Sequence, residues 1–141
     1  MTASMLVAAL WALWSIVAPE GSAEAVAEAA SRHGVPVALV AAVCVQESTW
    51  GRVGSLPCGC DPSGAHGVGP SWESQARCAA RSLATSLRRC RNVRGALARY
   101  QSGSCRGSRR DRGREAMGYA RRVLRTARMI GHAAGVGRRG S

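Results

Sequence analysis

Apolar positions along the chain recur with the spacing of an α-helix, and no stretch alternates with the period of two that a half-buried strand requires. Residues 23–33 carry apolar side chains on one face, and Gly34 ends that segment. Residues 36–48 begin with a proline and are apolar nearly all round, which predicts a central, buried helix. Further helices are predicted from Ser71 to Cys90, from Asn92 to Tyr100, and from about Ala116 to Ala127. The pattern therefore predicts a small all-α domain.

The helical pattern is interrupted over residues 51–71, which are rich in Gly, Pro and Ser and are therefore predicted to form a long loop. Loops of this length are usually functional or disordered, and the two cysteines within this one favour order. Trp50 and Trp72 flank the loop and could either stack on a ligand or anchor the loop to the core.

The chain has six cysteines: Cys44, Cys58, Cys60, Cys78, Cys90 and Cys105. Six cysteines allow fifteen pairings. Cys90 and Cys105 bracket a short helix and could link its ends, whereas Cys58 and Cys60 are too close together to bond each other without strain. The loop is therefore expected to pair with Cys78 or Cys44. The Cys-Gly-Cys spacing does not suit a structural zinc site, and neither a metal nor another cofactor is expected.

Disulfides and an apolar N-terminus both indicate an exported protein, in the periplasm, cell wall or extracellular space. Residues 5–18 form an apolar run too short to cross a bilayer comfortably, and small residues follow it. Residues 1–23 are thus predicted to be a signal peptide; an uncleaved N-terminal anchor or a buried first helix are the alternatives. The folded domain is expected over 24–130, with a disordered basic tail over 131–141.

The formal net charge of +12 comes from arginine, because the chain has no lysine. Such an excess predicts anionic partners, either nucleic acid or the polymers of a cell envelope. Residues 106–114 form the densest basic run, but no aromatic residue within it could stack on bases. Together with the export signal, this favours anionic envelope polymers over nucleic acid. A monomer is expected.

Glu47 is one of only eight acidic residues, and it stands at the end of the most apolar predicted helix. Desolvation and the negative end of the helix dipole should both raise its pKa. A carboxylic acid that stays protonated near neutral pH can act as a general acid, which is what cleavage of a glycosidic bond requires. The alternative is a side chain that turns to solvent or pairs with an arginine.

Five segments, in order, resemble the soluble lytic transglycosylase family, which shares a lysozyme-like fold with goose-type lysozyme. The first, "HGVPVALVAAVCVQES", resembles the family's helix that ends in catalytic Glu-Ser. The others are "GAHGVG", "QARCAARSLATSL", "ALARYQSG" and "YARRVL", which resemble a glycine-rich groove loop, a helix behind the site, an Ala-Leu-Ala-x-Tyr-Asn-x-Gly motif and a closing Tyr-Val-x-x-Val helix. Together they span about residues 23–130. The resemblance implies a lysozyme-like helical domain, and the cysteine positions add the expectation that disulfides link its active-site loop to the helices.

The activity implied by this resemblance is cleavage of the β-1,4 bond between MurNAc and GlcNAc in peptidoglycan. Glu47 would protonate the glycosidic oxygen and then act as base on the C6 hydroxyl, giving a 1,6-anhydro product. The implied substrate-binding residues are Ser48, Gly67, Val68, Tyr100 and Gln101. Ser48 would hold the substrate or orient Glu47, and the Tyr100 hydroxyl would lie near Glu47. Pro70 replaces the family's groove glutamine, and Gln101 replaces its asparagine.

Two alternatives stay open at this point. A goose-type lysozyme-like muramidase would use water as nucleophile and requires a second carboxylate, for which Asp61 in the long loop is the candidate. Asp61 also begins "DPSG", which is typical of a turn. A non-catalytic peptidoglycan-binding module is the other alternative, favoured by the loss of the groove glutamine.

Overall fold

The computed structural model describes residues 1–60, 69–107, 110 and 113–139, and the side chains of its last helix to Gly135. The described residues form six α-helices and no strand, which confirms the all-α prediction. The helices are α1 (Ala3–Trp14), α2 (Ser22–His33), α3 (Val37–Ser48), α4 (Trp72–Arg89), α5 (Val93–Ser102) and α6 (Arg114–Arg139). No helix in these ranges is long and apolar enough to cross a bilayer.

α3 is the central helix, as its uniformly apolar sequence predicted. Every residue from Leu39 to Val45 is buried. α3 packs against α6, α2 packs against α4, and α5 lies between α4 and α6. Two predicted helix starts are confirmed by their caps, because Ser71 Oγ accepts a hydrogen bond from Ser74 N and Asn92 Oδ1 accepts one from Gly95 N. α3 thus lies against three other helices, α2, α4 and α6.

α1 belongs to the packed structure. Leu6, Leu10 and Ile16 are each no more than 1% exposed, and α1 lies against α2 and α6. The indole nitrogen of Trp50 donates a 3.0 Å hydrogen bond to the Ser22 hydroxyl. These contacts agree with a buried first helix, which was one of the alternatives for the N-terminal segment. Cleavage after Ala23 stays a prediction.

α6 continues to Arg139, although the sequence predicted a disordered tail from Gly131. The physical reason lies in packing. Ile130 is fully buried and Ala134 is 6% exposed, so the core holds the helix beyond the point at which its glycines suggested an end. The helix therefore extends past Gly131, where the sequence predicted the tail to begin.

Three disulfides join Cys44 to Cys58, Cys60 to Cys78, and Cys90 to Cys105. The predicted Cys90–Cys105 link is confirmed. The loop cysteines use both of the partners that the sequence left open, so the loop is tied to α3 through Cys44 and to α4 through Cys78. This disulfide content indicates an oxidising, exported environment.

Candidate functional site

Glu47 lies in the last turn of α3, where the chain reverses sharply. Thr49, Trp50 and Gly51 are all left-handed, with φ of 52°, 59° and 82°. Consecutive non-glycine residues in this region are costly and must be held by their surroundings. Trp50 is 1% exposed and its ring stacks obliquely on Trp72, with centroids 4.6 Å apart. These contacts favour an anchoring role for Trp50, one of the two roles left open, at the turn that follows Glu47.

The Glu47 carboxyl is covered on one side and open on the other. The hydroxyl of Tyr119 donates a 2.9 Å hydrogen bond to Oε1. Gly59 lies so close that a Cβ built on it would be 2.8 Å from Glu47 Cγ. The residue as a whole remains exposed. Glu47 can therefore be reached from solvent although part of its carboxyl is shielded from water.

This partial shielding changes the acidity of Glu47. Desolvation by burial raises its pKa above the usual 4.5, and the hydrogen bond from Tyr119 lowers it by a smaller amount. The raised pKa was predicted from the apolar context, and its direction is confirmed. A carboxyl that is accessible yet reluctant to ionise is suited to proton donation.

Tyr119 is the nearest identified partner of Glu47. It is 6% exposed, and its pKa is raised, mainly by burial and further by the negative charge of Glu47. The hydroxyl therefore keeps its proton and acts as a donor. The sequence placed the Tyr100 hydroxyl near Glu47; Tyr119 entered only as the first residue of "YARRVL", and its contact with Glu47 was not predicted.

Tyr100 supports the backbone beside the carboxyl. Its hydroxyl donates a 2.7 Å hydrogen bond to the carbonyl of Cys58 and lies 3.5 Å from Cys60 Sγ. Its pKa is raised by burial and, to a smaller extent, by the charge of Glu47. Tyr100 is thus close enough to Glu47 for the carboxylate charge to affect its pKa, but its hydroxyl is bonded to the loop carbonyl of Cys58.

Gln75 holds the same backbone, which we call the 58–60 segment. It is fully buried, and its Oε1 accepts hydrogen bonds from the amides of Cys58 (3.2 Å) and Cys60 (3.1 Å). Its Nε2 donates to the carbonyls of Cys60 (2.8 Å) and Gly69 (3.2 Å). All four of its hydrogen-bonding positions are used. Sequence analysis missed Gln75; the available signal was a polar residue beside the apolar stripe of α4.

Ser48 is buried, whereas Gln101 is exposed. Ser48 is 2% exposed, its hydroxyl contacts the carbonyls of Cys44 and Pro57, and it accepts a 2.6 Å hydrogen bond from Gly51 N. Of the two roles implied for Ser48, these contacts favour orientation of the Glu47 turn over contact with a substrate. Gln101 is exposed. The predicted residues Asp61, Gly67 and Val68 lie outside the described residues.

Glu115 is a carboxylate in the first turn of α6, the helix that also carries Tyr119, and the sequence assigned it only to the basic run. It precedes Tyr119 by four residues on α6, and residues so spaced share one helix face about 6 Å apart along the axis. Its Oε1 accepts a 3.4 Å hydrogen bond from the Gln101 amide. Glu115 thus contacts α5 through Gln101, one helical turn before the residue that contacts Glu47.

A groove of about 430 Å³ lies between α4 and α5. It begins at the 58–60 segment and is lined by Gly59, Cys60, Cys78, Ser82, Ser86, Arg99, Tyr100, Gln101 and Gly103. Most of these groups are polar. Within the described ranges, no cluster of His, Cys, Asp or Glu could hold a metal ion.

The chain matches no family model, and no curated protein or solved structure matches it either. Its function is therefore inferred from the site itself. That site combines an accessible carboxyl of raised pKa, a tyrosine donor and an adjoining polar groove. These groups can transfer a proton to and from a polar substrate.

Proposed function

We propose that this protein is a peptidoglycan lytic transglycosylase with a lysozyme-like fold. The observation that carries the proposal is the Glu47 carboxyl, which is open to solvent, has a raised pKa and accepts a 2.9 Å hydrogen bond from Tyr119. The order of the five motifs supports the same assignment. The substrate would be the glycan strand, cleaved at the bond between MurNAc and GlcNAc.

The chemistry requires one group that first gives and then takes a proton. Protonated Glu47 donates its proton to the glycosidic oxygen as the bond from C1 to that oxygen breaks, and positive charge develops at C1. Glu47, now a carboxylate, removes the proton from the C6 hydroxyl of the same sugar while O6 bonds to C1. The product is a 1,6-anhydro sugar, and no water is consumed.

Tyr119 has a role in both halves of this reaction. Its hydroxyl is bonded to Oε1, so Oε2, the oxygen next to Gly59, is the one that would exchange the proton with substrate. After the first transfer, the same hydrogen bond stabilises the carboxylate, since a bond to a charged acceptor is stronger than one to a neutral acceptor. A buried tyrosine whose pKa is raised stays protonated throughout.

Hydrolysis is the second candidate, because Glu115 lies on the same face of α6 as Tyr119. A second carboxylate could activate water on the other side of the sugar. Asp61 was the candidate from sequence, and it lies outside the described residues. With either residue activating water, Glu47 would act as the general acid of a muramidase reaction.

The test is mass spectrometry of the soluble fragments released from purified peptidoglycan by the full, oxidised chain. We expect anhydro-muramyl ends from the wild type and none from Glu47→Gln. Glu24→Gln is the matched control, because Glu24 is exposed on α2. Reducing ends that disappear in Glu115→Gln or Asp61→Asn would replace the proposal by hydrolysis. A folded protein that pellets with the wall but releases nothing would reduce it to a binding module.

A further inference from the structure

The groove between α4 and α5 contains a cation with no charge partner among the described residues. Arg99 lines the groove. The ion pair found among the described residues joins Arg32 to Glu28 and does not involve Arg99. A guanidinium is charged at every accessible pH. The groove therefore holds a permanent positive charge that no described carboxylate neutralises.

Arg99 is also held in place. Its Nη1 donates a 2.9 Å hydrogen bond to the hydroxyl of Ser86, which is 1% exposed. A guanidinium has five N–H donors, so this bond leaves others able to meet a ligand. Arg99 itself is half-buried. A fixed and partly desolvated guanidinium is arranged in advance for an anionic oxygen, and carboxylates fit its planar donor pair.

The groove adjoins the proposed site of bond cleavage. Gly59 lines the groove and also lies against Glu47, while Tyr100 lines it beside Arg99. A polymer bound at Glu47 can thus extend one of its substituents into the groove. The Ser82 hydroxyl and the Gln101 amide provide further polar contacts there.

We infer that this groove binds a carboxylate of the peptide substituents on the glycan strand, with Arg99 as the pairing group. The inference rests on the proposed function, since it takes peptidoglycan as the substrate, and it adds that the protein distinguishes peptide-bearing strands from bare ones. Arg99 contacts no reacting atom, so its contribution is to binding.

The test compares two substrates: intact glycan strands and strands from which an amidase has removed the peptides. We expect Arg99→Gln to lower kcat/KM on peptide-bearing strands by about tenfold, the lower end of what a hydrogen bond to a charged group contributes. The loss should appear mainly in KM, and activity on bare strands should not change. Arg94→Gln is the control, because Arg94 is exposed on the same helix and does not line the groove.

The variant Arg99→Lys, together with thermal unfolding of each Arg99 variant, separates a loss of binding from a loss of folding. Lysine keeps the charge but not the planar donor pair, so we expect an intermediate KM. Equal losses on both substrates, or an equal effect of Arg94→Gln, would overturn the inference. If the wild type cleaves neither substrate, the proposed function fails, and the groove is then tested by NMR titration of the Gln101 side-chain amide, which lines the same groove, with a free muramyl peptide. A shift lost in Arg99→Gln would keep the subsite; no shift would reject it.

Discussion

Replacing Tyr119 by Phe removes one hydroxyl from the site and little else. The substitution deletes the 2.9 Å hydrogen bond to Glu47 Oε1 while keeping the ring that fills the core. Because that bond lowers the pKa of Glu47, its loss should raise the pKa further. A hydrogen bond to a charged group contributes about 1.5 kcal/mol at the lower end of its range, which is roughly a tenfold change in the ionisation equilibrium.

Two measurements follow this change. In a ¹³C NMR titration, the carboxyl of Glu47 should ionise at higher pH in Tyr119→Phe than in the wild type. In the pH profile of kcat/KM, the limb that falls as Glu47 loses its proton should move to higher pH. The maximal rate should drop by about tenfold, since the carboxylate formed in the first step loses its donor.

Tyr100→Phe is the matched control. It also removes one buried tyrosine hydroxyl, but that hydroxyl is bonded to the carbonyl of Cys58 and not to Glu47. The Glu47 titration should therefore change much less. An unchanged or lower pKa in Tyr119→Phe, or an equal shift in both variants, would refute the role given to Tyr119.

Three further substitutions probe the surroundings of the site and the N-terminal helix. Glu47→Gln should raise the melting temperature at pH 8 but not at pH 3. The raised pKa of Glu47 in the folded state means that ionisation destabilises the fold, and this loss begins as the pH rises through the usual 4.5. Equal melting temperatures of variant and wild type at pH 8 would contradict this. Gly59→Ala should cost about 2 kcal/mol in urea unfolding and most of the activity, because φ is +71° and the new Cβ would meet Glu47; full activity would exclude that close contact. Leu10→Ala should cost about 3 kcal/mol if α1 stays in the core, and a loss near zero would show that it does not.

The sequence was sufficient to predict what depends on local pattern. α3 and Glu47 at its end followed from an apolar run that stops at one carboxylate. Ser71 and Asn92 marked helix starts because their side chains accept bonds from the following turn. The Cys90–Cys105 bond followed from a short separation across one helix.

What could not be predicted depends on how distant elements meet. Tyr119 is 72 residues from Glu47, and nothing local to either residue indicates that α6 crosses the end of α3. Gln75 became important only when the 58–60 segment was laid across α4. The length of α6 was missed for the same reason, since glycines weaken a helix locally while burial of Ile130 maintains it.

In its proposed role as general acid, Glu47 must be reached by substrate and yet be shielded enough to keep its proton. The 58–60 segment meets both needs, since its backbone covers one side of the carboxyl and leaves the other open. The 58–60 segment would move unless it were held in place. Two disulfides together with Gln75 fix it at both ends.

The same bonds compensate for a weak core. The chain has no phenylalanine, and its buried side chains are largely alanine and valine, which remove little apolar surface from water. A disulfide closing a loop of about 15 residues contributes roughly 3 kcal/mol in the chain-entropy account. Cys44 lies one turn before Glu47 on α3, so the bond that stabilises the fold also fixes the wall beside the acid. Stability and the raised pKa of Glu47 are therefore coupled, and reduction should lower both the free energy of unfolding and the pKa of Glu47.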